Sequence, residues 1–111
     1  MEKIKDRDKG SFLEELELKF KEFKKLIIQR NYYEAHEVLE EIWYPMRKSF
    51  HKDRDIIRGF INAVVSLELK KRGRDNYLKV WETYEKHKKK IKDNKLYEDL
   101  SLFLDNFSPN K

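Results

Sequence analysis

The chain lacks cysteine and carries only two prolines and three glycines. Without thiols, disulfides, thiol catalysis and cysteine metal sites are excluded. No apolar run approaches the roughly 18 residues that a membrane span requires. The opening "MEKIKDRDKG" is charged throughout and offers no signal-peptide core. A soluble cytoplasmic protein with no membrane partner is therefore expected. Alternating strand patterns, Asn-Gly or Asp-Gly hairpin signals and internal repeats are missing too. What remains is helix.

Charge is what the sequence has in excess. Charged residues make up 42% of its 111 residues, against about 25% in an average domain. Such a balance favours disorder when aromatics are scarce, but here they make up 14%. One small helical domain with heavily charged outer faces follows, of the Lys/Glu-rich kind common in thermophiles. The net charge is +5, and the basic residues are 19 lysines and 7 arginines mixed with 21 acids. Lysine interleaved with glutamate is mostly a solvated surface, whereas arginine is preferred for bidentate phosphate and base recognition. The composition supports weak, salt-sensitive anion binding and argues against nucleic acid as the main partner.

Residues 1–10 show no apolar period and read as a loose tail, residues 11–106 as a single helical domain and residues 107–111 as a frayed end. The spacing of Phe12, Leu16, Phe20, Phe23 and Ile27 predicts a first helix from Ser11, a good N-cap, to Gln29. Asn31, with Glu34 three residues on, predicts a capped start for a second helix. Its stripe is Tyr32, Ala35, Leu39, Ile42, Trp43 and Met46, and Pro45 should end or kink it near Trp43. Asp53 is the expected cap of a third helix, apolar on almost every side from Ile56 to Leu69, with Gly59, Ala63 and Ser66 as a strip of small residues. Such a helix packs on more than one face. It should stop at Gly73. A fourth helix from Asp75 carries Tyr77, Val80, Trp81, Tyr84 and Ile91, and Asp93-Asn94 breaks it. A short fifth runs from Lys95 to Asn106 with Leu96, Leu100, Phe103 and Leu104. The expected fold is all-α, a compact bundle of four main helices plus a short C-terminal one, with helix three central.

One constellation stands out on helix two, "YYEAHEVLEEIW". At about 100° per residue, His36 falls some 60° from Leu39, inside the apolar stripe. Glu40, Tyr33 and Glu37 follow in that order toward solvent. His36 and Glu40, at i and i+4, are within side-chain reach. On helix three Asn62 interrupts the apolar run, and a buried carboxamide left unpaired costs about 1–3 kcal/mol. His36, Glu37 or Glu40 are its candidate partners if the two faces meet.

Together with "RGFINAVVSLELKKRG", this segment resembles the bacterial and archaeal family named domain of unknown function 309. Tyr33, Glu34, Ala35, His36, Glu37, Glu40 and Trp43 match its first motif. Gly59, Phe60, Ile61 and Gly73 match its second, with Asn62 where the family usually has glutamine. The family's later histidine is replaced by Leu69, and its Gly-Ala in the next helix by Tyr77-Leu78. Similarity runs from Phe20 to Tyr84 and implies a compact all-helical fold without an established activity.

The residues allow four readings. In the first, His36, Glu40 and Asn62 form a polar network that fixes how helices two and three pack. In the second, Tyr33, Trp43 and helix three wall a pocket whose polar groups are His36, Glu37, Glu40 and Asn62, for a small ligand or a protein partner. The third is a metal-dependent hydrolase using His36 and Glu40. It lacks the second imidazole of H-E-x-x-H, so His51 or Glu68 would have to complete the ligand set. The fourth is anion or nucleic-acid binding through Lys70, Lys71, Arg72 and Arg74 or the "KHKKKIK" run at 86–92. His51 and His87 lie in charged contexts and read as solvated. The balance leans away from an enzyme, with no cofactor or metal assigned; self-association stays open.

Overall fold

The 3.6-residue stripes become five α-helices in the computed structural model, which describes the backbone of residues 2–110 and the side chains of residues 12–110. They are α1 (Glu2–Ile28), α2 (Tyr32–Lys48), α3 (Arg54–Lys71), α4 (Tyr77–Lys88) and α5 (Lys95–Asp105). No strand occurs among the described residues.

Helix α1 begins at Glu2 and not at Ser11. Helical backbone runs on through the charged opening because lysine, arginine and glutamate are good helix formers and propagation from a packed helix costs little. Met1, Lys111 and the Ser11 side chain expected to cap lie outside what the structure describes. Leu16, Phe20, Phe23 and Ile27 form the buried stripe, each 2% exposed or less. Helix α1 lies along α2, and the exposed Lys19 and Glu41 pair across them.

Helix α2 does not stop at Trp43. It continues through Pro45 to Lys48. Pro45 is on the exposed side, and the carbonyl it leaves without a donor is that of exposed Glu41, where water can serve. Ile42 and Met46, buried on the other side, hold the last turns in register. Nor does Asn31 cap: its amide donates to Gln29 Oε1, and no side-chain bond reaches the helix. Asp53 also makes no cap bond, because its Oδ2 accepts from the Tyr97 hydroxyl at 3.0 Å. Asn94 does cap, its Oδ1 accepting from Tyr97 N at 3.1 Å.

Three helices end in the same motif. Arg30, Phe50 and Gly73 take left-handed backbone, with φ of 64°, 55° and 75°. In each case the residue's N–H bonds three residues back and the next N–H five back, as in His51 N to Met46 O at 2.9 Å and Arg74 N to Leu69 O at 2.9 Å. Gly73 accepts this geometry freely, whereas Arg30 and Phe50 carry a Cβ against the carbonyl.

Helix α3 is the spine. It lies between α2 and α4, with its widest contact on α4. Gly59, Ala63 and Ser66 are all buried, and the Ser66 hydroxyl donates to Tyr77 O at 2.6 Å. Phe60 is the hub of an aromatic cluster, with Phe20 edge-on at 5.9 Å and Tyr84 and Tyr97 each at 6.3 Å. Two phenols in that cluster find acceptors on or before other helices. Tyr84 shares a bond with Ser101 Oγ at 2.9 Å and donates to Asp105 Oδ1 at 3.0 Å, and Tyr97 reaches Asp53. Burial pushes both hydroxyls well above the ordinary tyrosine range. Beyond α5, Pro109 is buried and its carbonyl accepts from Lys70 Nζ at 3.1 Å, so the turn after α5 is held against the body. No helix among the described residues is long and apolar enough to cross a membrane.

Candidate functional site

Helices α2 and α3 run side by side because α3 has a second apolar face to bury. Along their seam the structure places His36 and Glu40 at the boundary with solvent. His36 Nε2 stands 3.2 Å from Glu40 Oε2, with side chains 25% and 31% exposed. The Tyr33 ring lies 6.1 Å from the imidazole, tilted, and is largely exposed. The Glu40 carboxylate thus faces the Nε2 side of the imidazole, and Nδ1 is the other polar atom of the ring.

Beside His36 the seam opens into a cleft of about 210 Å³. Tyr32, Val65 and Leu69 supply apolar wall, and Tyr33, His36, Glu68 and Arg72 the polar one. Arg72 is bonded through Nε to Glu68 one turn before it, so the charge on that wall is compensated. Val65 and Leu69 share the α3 face that the sequence could place against helix two only conditionally, and Arg72 gave no signal for this cleft; the helix register sets all three opposite Tyr33 and His36.

The other predicted residues separate. Asn62 is half-buried and, among the described residues, makes no side-chain hydrogen bond with His36, Glu37 or Glu40. Its amide sits near enough to the surface for water to satisfy it. Glu37 is exposed. Trp43 sits toward the opposite end of the seam, with the guanidinium of Arg47 at 5.5 Å from the ring and that of Arg58, from α3, at 5.3 Å.

The two remaining histidines are less solvated than the sequence suggested. His51 stacks on Phe12 at 5.2 Å and its Nδ1 accepts from Asp53 N at 3.0 Å. His87 packs on Gly59, and its Nδ1 is shut away from water without a partner. Burial, then nearby Lys90, holds the His87 imidazole below the ordinary histidine range, against the opposite pull of Asp55. Neither joins His36. Among the described residues no three His, Cys, Asp or Glu side chains come together as a metal ligand set, although Glu68 shares the cleft.

The basic run closing α3 is largely occupied by the protein itself. Lys70 serves Pro109, Lys71 Nζ donates to Arg30 O at 3.0 Å, and Arg72 holds Glu68. Lys70 and Lys71, consecutive on the helix, point about 100° apart, and Arg74 lies beyond the left-handed Gly73, so the run presents no single helix face. In the second run, Lys88 pairs with Asp105 and Lys90 with Asp55.

A protein-family model described as "Domain of unknown function (DUF309)" matches residues 20–80, more than half of the chain and the whole of the α2–α3 seam. No curated protein and no solved structure gives a match.

Proposed function

The chain belongs to the DUF309 family, and from that premise we propose that the cleft beside His36 binds a small, uncharged ligand with an apolar body and one hydroxyl or N–H group. The observation that carries this reading is that His36, partly exposed and with Glu40 beside it, lines a largely apolar cleft. Drug-sized pockets occupy about 300–1,000 Å³, so the ligand is smaller than those. With the Glu40 carboxylate beside Nε2, His36 Nδ1 is the ring atom offered to the ligand's donor. Glu68 and Arg72 cancel one another, so a net charge on the ligand gains little there.

A purely structural network is the second reading, and exposure weighs against it. A partly exposed i,i+4 pair contributes only about 0.3–0.5 kcal/mol. The deciding experiment is a fragment screen by amide chemical-shift perturbation, run on the native protein and on His36→Ala. Binding predicts shifts at Val65, Leu69 and the His36 helix that vanish in the variant, at a stability cost below about 1 kcal/mol. A costly His36→Ala substitution, with no fragment perturbing those residues, would transfer the site to the structural reading.

A further inference from the structure

The end of the α2–α3 seam away from the cleft carries a second, unassigned surface. Between Tyr44 and Arg58 the sequence has five cations, Arg47, Lys48, Lys52, Arg54 and Arg58, against Asp53 and Asp55. Both acids are engaged elsewhere. Asp53 accepts from Tyr97, and Asp55 pairs with Lys90 at 3.0 Å, which holds its carboxyl below the usual range. Among the described residues neither Arg47 nor Arg58 has a carboxylate partner. Instead both lie over the Trp43 ring, and Arg54 lies over Phe50 at 5.6 Å. Stacking holds a guanidinium by its face and leaves its N–H edge free for an anion. Arg47 and Arg58 are thus held ready on Trp43, while Arg54 spends one Nη1 N–H on His51 O at 2.9 Å and keeps the rest of its edge.

The aromatics themselves are exposed. Tyr44, 5.4 Å from Trp43, is 50% accessible, and Phe50 is 78% accessible. Phe50 also keeps a left-handed backbone that a bulky residue rarely adopts, so the fold displays this ring in spite of a local cost. Exposed rings alternating with free guanidinium edges have one well-defined complement: bases stack on the rings while successive phosphates meet the arginines. An acidic peptide would meet the charges but leave Tyr44 and Phe50 without a role.

We infer that the Tyr44–Trp43–Arg47–Phe50–Arg54–Arg58 surface binds single-stranded nucleic acid, through base stacking and phosphate contacts. This surface is distinct from the His36 cleft and from the lysine runs, and it stands whether or not the cleft binds a ligand.

The test is fluorescence anisotropy of a labelled single-stranded oligonucleotide titrated with full-length protein across a salt series. Binding should weaken steeply with salt, and Arg47→Gln or Arg58→Gln should each reduce the log–log salt slope by about 0.7. Tyr44→Ala should weaken binding about five-fold or more. Phe50→Gly should do the same while raising the melting temperature, since glycine relieves the left-handed backbone. The pair Lys70→Gln and Lys71→Gln should leave the salt slope unchanged. Absence of binding at low salt, or arginine and aromatic variants that bind like the native protein, would overturn the assignment. So would equal competition by poly-glutamate or by duplex of the same length, which would mark a surface that reads charge alone.

Discussion

Gly59 of α3 and His87 of α4 meet where no other side chain fits: a Cβ built on Gly59 would stand 2.6 Å from the His87 Cβ. The atom it meets is fixed to the α4 backbone, so the clash is relieved only by moving one helix away from the other. The small-residue strip of α3 makes this close approach possible.

Gly59→Ala should therefore destabilise the protein by about 1–3 kcal/mol, as overpacking does. The sign is informative, because in an unpacked helix the same change would stabilise by up to about 1 kcal/mol. Chemical denaturation of both proteins reads the difference directly. A stabilised variant would show that α4 sits further from α3 than the structure places it.

His87 gives the fold a pH dependence. Its imidazole is held below the ordinary value of 6.5 by burial and by Lys90 and Arg58, and Asp55 opposes them. Below the unfolded value the unfolded chain takes up a proton that the folded one refuses, so stability falls as pH drops from about 6.5 toward the depressed folded pKa. Above the unfolded value this contribution is fully present. His87→Leu should flatten that part of the stability–pH curve and cost nothing at neutral pH, since it also removes the unpartnered Nδ1. Melting curves of both proteins between pH 5 and pH 8 measure the difference, and parallel curves would deny His87 the role.

Tyr84 and Tyr97 each tie the aromatic core to a polar acceptor. Tyr84→Phe should cost about 1–3 kcal/mol, because it strands the buried Ser101 hydroxyl. Tyr97→Phe should cost less, about 0.5–1.5 kcal/mol, since Asp53 is only partly buried and water can replace the phenol. Urea midpoints at constant m-value order the two.

Pro45 is tolerated within α2 at a cost that other contacts offset. Pro45→Ala restores the N–H that Glu41 O lacks and should stabilise the protein by about 1–3 kcal/mol, less the unfolded-state entropy that proline had removed. Thermal unfolding followed by circular dichroism checks the direction. A neutral outcome would mean that water already replaces the missing bond in full.

Most of the helical order was legible locally. Leu16, Phe20 and Phe23 recur at helical spacing, and that spacing alone aims them at one side. Gly73 announces its own turn because only glycine enters left-handed backbone without cost. Arg30 and Phe50 take the same turn with no such announcement, because packing of the helices they follow imposes it. The same competition carried α2 past Pro45 and left Asn31 without a cap.

The site divides along the same line. By itself the sequence determined five amphipathic helices, the central place of α3 and the His36–Glu40 pair, for each depends on residues a turn or less apart or on the composition of one helix. Only the tertiary structure decided what stands opposite them. It set Val65, Leu69 and Arg72 against His36 where Asn62 had been expected, and brought Arg58 onto Trp43. The reason is register: sliding or turning one helix against another changes every cross-helix partner while leaving each helix's own pattern intact, so packing over the whole core makes that choice.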